Sequence, residues 1–337
     1  MPRFGLHLTS FRDPIEGDER IFERVLELTE TMEGVATFET LWLTDHVHNL
    51  GPDGPTAPML EPYTLLAAVA ARTQALRLGV LATSVTYRSP ALLAKMVTTL
   101  DVISHGRAVL GIGAGHPRTQ GEQRSYGIDF PSIAERMDRL AEALQVIRAL
   151  FRRDVAFFQG RYYRVSGAHN VPRPVQPGGP PILVAGSGER RLLRLVAQYA
   201  DQCNLSFPSG DHLGVLPHKF EVLAQYCALV GRDPAEITKT YKGLLVVDPS
   251  EARAQSVWAR WRQARGMSDL STQHGVFVGT PAQVVDGVAA FFEAGIDEMI
   301  FEIPDALGQG VVAAASEALA PLFGQQAPRP VGAEVMS

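Results

Sequence analysis

The feature that most constrains the fold of this chain is the alternation of short apolar runs with longer helical patterns along its whole length. Most of the runs are continuous aliphatic or β-branched stretches, which is typical of parallel strands buried on both faces. We predict eight strands, at residues 4–8, 40–44, 76–85, 108–114, 182–185, 202–207, 238–247 and 299–303. Eight strands with helices between them favour an α/β fold closed into a single (β/α)8 TIM barrel, and a doubly wound open sheet is the structural alternative.

The segments between these strands carry recognisable helix starts. Ser89 supplies a capping hydroxyl before Pro90 at the first helical position, and Ser132 and Thr280 each begin a capping-box pattern.

Two stretches interrupt the alternation of strands and helices. Residues 154–181 show a hairpin pattern and then become proline-rich, and residues 252–279 show a helical pattern. We interpret both as insertions in the barrel, after strands four and seven, so that residues 1–327 form one domain. We expect the tail, residues 328–337, to be disordered.

Charge and cysteine content exclude several functional classes. The net charge of −5 provides no electrostatic footprint for nucleic acid or an anionic membrane. Cys203 and Cys227 are too few for a disulfide framework. The first residues show no signal-peptide pattern, and no apolar run is long enough to span a bilayer. We therefore expect a cytoplasmic protein that acts on a small molecule.

In a barrel of this kind, chemistry belongs to the C-terminal strand ends and the loops that follow them. Asp45 and His46 follow the second strand, where a histidine acts as general acid or base and an adjacent carboxylate tunes it. A hydrogen-bonded loop histidine is the structural alternative. His46 and His48 are also spaced to bind a metal, but barrel metal sites need ligands at other strand ends, and residues 185–187 and 206–208 offer none. We therefore expect no metal.

Glycines follow the fourth and fifth strands. Those within residues 111–115 let the backbone approach a ligand closely, but His116 stands where a dinucleotide fingerprint requires a further glycine. Residues 186–188, of sequence GSG, separate a strand from a helix start, and the free N–H groups of such a turn bind anions. Arg190 or Arg191 would add positive charge. A tight turn without a ligand is the alternative.

Eight segments of the chain occur in an order shared with a known family. They are residues 41–46, 58–65, 87–95, 100–107, 111–115, 186–191, 195–201 and 231–234. With these segments the chain resembles the luciferase-like flavin and deazaflavin oxidoreductases of the bacterial luciferase superfamily, and its F420-dependent members most. The similarity covers residues 3–325. The similarity is specific for the superfamily, but it distinguishes less well between members that use the deazaflavin coenzyme F420 and members that use FMN.

The resemblance implies cofactor-binding residues at four strand ends. They are Asp45, His46, Ser84, Val85, Ala114, Gly115, Gly186, Ser187, Gly188 and Arg190. Among them, His46 is implied as the catalytic proton donor or acceptor, with Asp45 beside it. The bond between Ser84 and Val85 is implied to be a non-prolyl cis peptide behind the redox ring. The turn 186–188 is implied to bind the phosphate of the cofactor side chain.

One position departs from the pattern of the family. After Gly115, relatives carry a large aromatic or an acidic residue, whereas here His116 begins a slightly longer loop. This departure leaves the substrate open. It also makes His116 a second acid–base candidate, with a plain loop residue as the alternative.

The resemblance implies an oxidoreductase that transfers a hydride between coenzyme F420 and a small organic substrate. The first alternative is a monooxygenase that uses reduced FMN and O2, with which a deazaflavin reacts poorly. A second alternative is a catalytically silent cofactor-binding protein, which the presence of Asp45 and His46 disfavours. The family also implies a homodimer. The sequence indicates neither the substrate nor the direction of the reaction.

Overall fold

The computed structural model describes residues 2–11, 17–51, 54–205, 212–264 and 275–323. The strands within these residues are β1 (Arg3–Leu8), β2 (Phe38–Leu43), β3 (Arg77–Val80), β4 (Thr83–Ser84), β5 (Ala108–Gly113), β6 (Ala156–Gln159), β7 (Arg164–Ala168), β8 (Ile182–Ala185), β9 (Gln202–Leu205), β10 (Thr238–Val247), β11 (Val276–Gly279) and β12 (Glu298–Glu302). The predicted tail, residues 328–337, lies outside the described residues.

Eight of these strands form a closed parallel barrel. Their order is β1, β2, β3, β5, β8, β9, β10 and β12. Closure follows because β10 pairs with both β9 and β12, while β12 pairs with β1. The barrel prediction is confirmed, and the open doubly wound alternative is wrong.

Each predicted strand coincides with one barrel strand, with two differences. The third predicted strand is broken into β3 and β4, which pair with different parts of β5. The last two residues predicted for the sixth strand, 206 and 207, lie outside the described residues. β11 is an additional strand that pairs with β10. It was not predicted, because its four residues lie at the end of a stretch interpreted as helical.

The α-helices of the described residues are α1 (Ile21–Val35), α2 (Pro62–Ala70), α3 (Pro90–Ile103), α4 (Gln120–Ser125), α5 (Ile133–Arg152), α6 (Arg194–Tyr199), α7 (His212–Val230), α8 (Glu251–Ala264), α9 (Pro281–Glu293) and α10 (Val311–Leu319). The predicted capping box at Thr280 is present at the start of α9, and Ser132 caps α5 by accepting from the N–H of Glu135. Ser89 makes no side-chain cap, although Pro90 does begin α3 as predicted. Within the described residues no helix combines the length and the apolar character needed to cross a membrane.

A single tryptophan fills the middle of the barrel. Trp42 of β2 is 1% exposed and packs with Leu81, Val109, Leu183 and Ile300. Three glycines on neighbouring strands face its indole, namely Gly5, Gly79 and Gly111. A Cβ atom built on them would lie 2.9, 2.5 and 3.5 Å from the indole, respectively. The larger apolar core lies outside the barrel, between the strands and the helices.

The stretch after α5 contains the predicted hairpin. β6 and β7 pair antiparallel, and their turn lies on α5. The carboxylate of Glu142 in α5 accepts hydrogen bonds from the backbone N–H groups of Arg161, Tyr162 and Tyr163 at 2.7, 2.9 and 3.0 Å. The hydroxyl of Tyr163 in turn donates to the carbonyl of Val85 at 3.4 Å. The hairpin therefore reaches a loop at the C-terminal end of the barrel.

Candidate active site

The loops that follow β2, β4, β5 and β8 leave the same end of the barrel. Ser84 of β4 is in register with Gly113 of β5, and a Cβ atom on Gly113 would lie 3.3 Å from the carbonyl oxygen of Ala185 in β8. All the candidate site residues follow these strand ends. The barrel thus brings together segments that are far apart in the sequence.

His46 is held by a carboxylate from a distant helix. Its Nδ1 lies 2.9 Å from an oxygen of Glu122 in α4, and the second oxygen of Glu122 accepts from the N–H of Val47. The side chain of Glu122 is fully buried, whereas that of His46 is 24% exposed. Nε2 of His46 makes no hydrogen bond to any described residue. It is therefore the ring atom available to a ligand.

The ionisation of Glu122 determines the tautomer of His46. Burial acts to raise the pKa of Glu122, but the hydrogen bonds from His46 and Val47 outweigh it and bring the pKa below its usual value. Glu122 is thus a carboxylate near neutral pH and can only accept hydrogen bonds. Nδ1 of His46 must then carry a proton, which leaves a lone pair on Nε2 of the neutral ring.

Asp45 has a different partner from His46. Its two oxygens accept from the guanidinium of Arg88 at 2.7 and 3.2 Å, and Arg88 also contacts Glu61 at 2.7 Å. Burial raises the pKa of Asp45, and the charge of Arg88 opposes that rise. The side chain of Asp45 is 1% exposed. The structure therefore places it in a buried ion pair behind the loop rather than against the imidazole.

Ser84 takes part in a polar network beside His46. Its hydroxyl lies 2.7 Å from that of Thr86, which donates at 2.5 Å to the amide oxygen of Gln123 in α4. Gly115 lies against the same hydroxyl, since a Cβ atom at this position would be 2.4 Å from Oγ of Ser84. The side chains of Ser84 and Gln123 are thus fixed next to the backbone of the glycine-rich loop.

The cis peptide predicted between Ser84 and Val85 is wrong. This bond is trans, and the non-prolyl cis bond lies between Leu81 and Ala82. The N–H of Val85 donates to the carbonyl of Gly113 at 2.9 Å and so continues the regular ladder of β4 and β5. The irregular backbone lies three residues earlier, where the chain passes from β3 to β4.

The loop after β5 carries the remaining candidate site residues. Ala114 is buried, and its carbonyl accepts from Nε of Arg136 at 2.8 Å. Gly115 has a φ of 81°, which favours glycine. His116 is exposed, and its Nδ1 accepts from the N–H of Arg118 at 3.2 Å. Partial burial first, and then the nearby charges of Arg118, Arg136 and His46, lower the pKa of His116.

The turn at residues 186–188 precedes a helical segment of residues 189–199, which begins with a π-helical turn. Gly186 has a φ of 131°, and the backbone N–H groups of Ser187 and Gly188 donate to none of the described residues. Lys219 of α7 donates to the carbonyl of Ser187 at 3.1 Å and to Glu189 at 2.5 Å. The turn therefore presents two donors that have no partner among the described residues, with the ion pair of Lys219 and Glu189 beside it.

The two arginines after this turn point differently. The side chain of Arg190 is exposed. Arg191 contacts Asp138 and the carbonyl of Ala134 in α5, so its guanidinium is directed away from the turn. Of the two, Arg190 is the one whose guanidinium makes no bond to the described residues.

Sequence reasoning missed the residues that hold the predicted ones. They are Arg88, Glu122, Gln123, Arg136 and Lys219. Glu122 lies 76 residues from His46 along the chain, so no local pattern connects the two. Within the described residues, no three histidine, cysteine, aspartate or glutamate side chains are grouped to hold a metal ion. Nδ1 of His48 lies 3.1 Å from the carbonyl of its neighbour Asn49, and its ring lies 6.5 Å from that of Tyr126, between centroids.

The fold is a closed (β/α)8 barrel with an imidazole and a glycine-containing turn at its C-terminal end, where TIM-barrel enzymes have their active sites. The model of the luciferase-like monooxygenase family matches residues 2–298. The chain belongs to this family and is an oxidoreductase.

Two relatives and one solved structure illustrate the similarity. The F420-dependent glucose-6-phosphate dehydrogenase of Nocardia farcinica is 27% identical over 289 residues, which are 78% of this chain and 82% of the relative. The phthiodiolone/phenolphthiodiolone dimycocerosates ketoreductase of Mycobacterium sp. (strain JLS) is 31% identical over 265 residues, 70% of this chain and 66% of the relative. The coenzyme F420-dependent tetrahydromethanopterin reductase of Methanopyrus kandleri has the same fold, with a TM-score of 0.76, 19% identity and coverage of 95% of this chain and 99% of that one.

Proposed function

We propose that this oxidoreductase uses coenzyme F420 and transfers a hydride between the deazaflavin ring and a small alcohol or carbonyl substrate, with His46 as proton donor or acceptor. The observation that carries the proposal is the pairing of Nδ1 of His46 with the buried Glu122, which leaves Nε2 for a ligand. The names of the relatives support both the cofactor and the substrate class, since one is an F420-dependent dehydrogenase and one is a ketoreductase.

The residues at the barrel mouth fit a flat ring with a phosphate-bearing side chain. A Cβ atom at position 115 would lie 2.4 Å from Oγ of Ser84, so only glycine lets this loop pack directly against Ser84. The bare backbone of the loop can then approach a ring closely. At the adjacent strand end, the free N–H groups of Ser187 and Gly188 and the positive end of the following helix suit a phosphate. Ala114, Val85 and Asp45 would support this cradle from behind, and Arg190 would add charge to the phosphate subsite.

The protein's own contribution to the reaction is orientation and a proton. When bound, F420 accepts or returns the hydride. In the oxidative direction the substrate carbon loses its hydrogen with the bonding electron pair, the hydroxyl proton moves to Nε2 of His46, and the O–H electron pair becomes the second carbonyl bond. Glu122 stabilises the imidazolium that results, because its carboxylate faces Nδ1. Reduction uses the same residues in reverse.

The test of this proposal is a pair of titrations followed by one substitution. We expect the protein to bind F420 and not FMN, measured by quenching of cofactor fluorescence. His46→Ala should then retain F420 binding and lose about 10²–10⁴-fold in kcat/KM for alcohol oxidation. His48→Ala is the matched control, because His48 contacts Asn49 and Tyr126, neither of which has a role in the proposed proton transfer.

A second candidate function is monooxygenation with reduced FMN, which the name of the family itself supports. Binding of FMN with consumption of O2, and no binding of F420, would replace the first candidate with this one. Unchanged turnover in His46→Ala with F420 still bound would refute the role of His46 alone.

A further inference from the structure

His116 is held in one tautomer by its own loop. It precedes a short 3-10 helix, Pro117–Thr119, and its Nδ1 accepts from the N–H of Arg118 at 3.2 Å. A ring nitrogen that accepts from a backbone N–H carries a lone pair and no proton. The proton of the neutral ring therefore lies on Nε2, which makes Nε2 of His116 a hydrogen-bond donor.

His46 is held in the opposite tautomer. The carboxylate of Glu122 fixes the proton on Nδ1, so that Nε2 of the neutral ring is an acceptor. Residues 116–122 determine the tautomer of both rings. The 3-10 helix capped by His116 continues directly into α4, and α4 carries Glu122. The charge of His46 acts on the ring of His116, so the two rings are near each other. Their Nε2 atoms are complementary, since one accepts and the other donates.

We propose that His116 is a neutral donor that binds the substrate oxygen through Nε2–H, while His46 exchanges the proton of that same oxygen. The oxygen of an alcohol can donate its proton to one imidazole and accept from the other, so the pair recognises one alcohol or carbonyl oxygen. In the oxidative direction the proton passes to His46, the hydride leaves the carbon, and the bond from His116 strengthens as charge develops on the oxygen. This inference rests on the proposed function.

The surroundings of His116 lower the pKa of its ring and so favour the neutral form. Partial burial and the positive groups Arg118, Arg136 and His46 all disfavour a further proton on the ring. A neutral imidazole that gave up its Nε2 proton would become an imidazolate anion, which is unfavourable near neutral pH. His116 therefore donates a hydrogen bond without transferring its proton, whereas His46 exchanges a proton with the substrate. His116 is catalytic in the sense that it touches the reacting oxygen, but it transfers nothing.

The decisive experiment replaces His116 with asparagine or glutamine, because the amide group of each reproduces one of the two ring nitrogens of histidine. The side-chain oxygen of Asn matches the position of Nδ1 and can keep the cap, whereas the side-chain nitrogen of Gln matches the position of Nε2 and can keep the donor. The readout is F420 reduction by the full-length protein with 2-propanol, cyclohexanol and glucose 6-phosphate as probes. We expect His116→Asn to lose about 10²–10³-fold in kcat/KM, as when a single donor to a developing oxyanion is removed. His116→Gln should retain activity within about tenfold of the wild type, and both variants should bind F420 normally.

A second measurement reads the tautomers directly and needs no turnover. In ¹⁵N long-range correlation spectra of the wild type near neutral pH, His116 should show a protonated Nε2 and His46 a protonated Nδ1. The inference is overturned if His116 shows the other tautomer, if both amide variants lose equal activity, or if neither loses any. A wild type that binds F420 but oxidises none of the probes also overturns it. A wild type that binds no F420 refutes the proposed function instead, and this is known before any variant is compared.

Discussion

Glu122 orients His46 and also stabilises the folded protein, and its contribution to stability depends on pH. It is a buried acceptor for His46 and Val47, and those bonds bring its pKa below the usual value. A carboxylate whose pKa is lowered by folding stabilises the native state above its unfolded pKa of about 4.3. That contribution is lost as pH falls through the lower pKa of the folded state.

The substitution Glu122→Gln should remove this contribution. We expect the free energy of unfolding at neutral pH to fall by about 1.5–3 kcal/mol, because a charge-assisted acceptor is lost. The difference from the wild type should shrink as the pH decreases below the usual glutamate range, where the carboxylate of the wild type becomes protonated. Urea unfolding at a series of pH values measures it.

Glu135→Gln is the matched control for this pH series, because Glu135 pairs with Arg139 on the surface of α5. It should leave the pH dependence of unfolding close to that of the wild type. A difference between Glu122→Gln and the wild type that stays the same from pH 7 down to the acid transition would contradict the linkage to Glu122.

At the scale of elements, the hairpin of β6 and β7 is attached to α5 by one side chain. Three consecutive backbone N–H groups at its turn donate to Glu142. Gly160 lies so close that a Cβ atom there would be 2.2 Å from the carboxylate, so the turn wraps tightly around it. The hairpin in turn contacts the site through Tyr163 and the carbonyl of Val85.

Glu142→Ala should loosen this hairpin while leaving the barrel folded. We expect the amides of Arg161, Tyr162 and Tyr163 to exchange their hydrogens faster, because each loses its acceptor, and the stability to fall by about 1–2 kcal/mol. Hydrogen exchange followed by mass spectrometry measures the first effect. Gln145→Ala on the same helix is the control, since Gln145 bonds only to Ala141 of its own helix. Equal exchange rates in the two variants would show that Glu142 does not hold the turn.

The same scale shows which parts of the structure were predictable. The barrel strands, the capping box at Thr280 and the hairpin have local patterns of polarity, and all were predicted. β11 was not, because the four residues of Val276–Gly279 give too short a pattern to stand out beside a helix. The break of the third strand into β3 and β4 was not predicted either, because their pairing with different parts of β5 is a tertiary property.

The candidate site also contains some features that the sequence predicts and others that it does not. The positions of His46, Gly115 and the turn 186–188 follow from strand ends and glycine spacing, and the barrel does bring them to one end. The partner of Asp45 was not foreseeable, because Arg88 lies 43 residues away along the chain. The adjacency of Asp45 and His46 in the sequence suggested a pair, but consecutive side chains leave the backbone in different directions.

At the scale of the whole molecule, the barrel closes around one large side chain. Trp42 occupies space that branched side chains from several strands fill in many barrels. Gly5 and Gly79 make that space available, because a Cβ atom on them would lie 2.9 and 2.5 Å from the indole, respectively. The size of the side chain at position 42 therefore determines which residues are tolerated at positions 5 and 79. The closed interior beneath the mouth confines the site to the C-terminal face.

A double-mutant cycle tests this size complementarity. Gly79→Ala should strongly destabilise the wild type, because its Cβ would lie 2.5 Å from the indole of Trp42. In the background of Trp42→Leu, which opens a cavity, the same change should be less destabilising by about 1–3 kcal/mol in denaturant unfolding, the coupling typical of residues in contact. Gly243→Ala in β10 provides the control, because its Cβ would lie 2.8 Å from the ring of Phe277 and 3.0 Å from the backbone oxygen of Gly275, which the tryptophan substitution leaves in position. It should cost the same in both backgrounds. If Gly79→Ala also costs the same in both, the glycine serves the backbone rather than the tryptophan, and the barrel interior is not organised around Trp42.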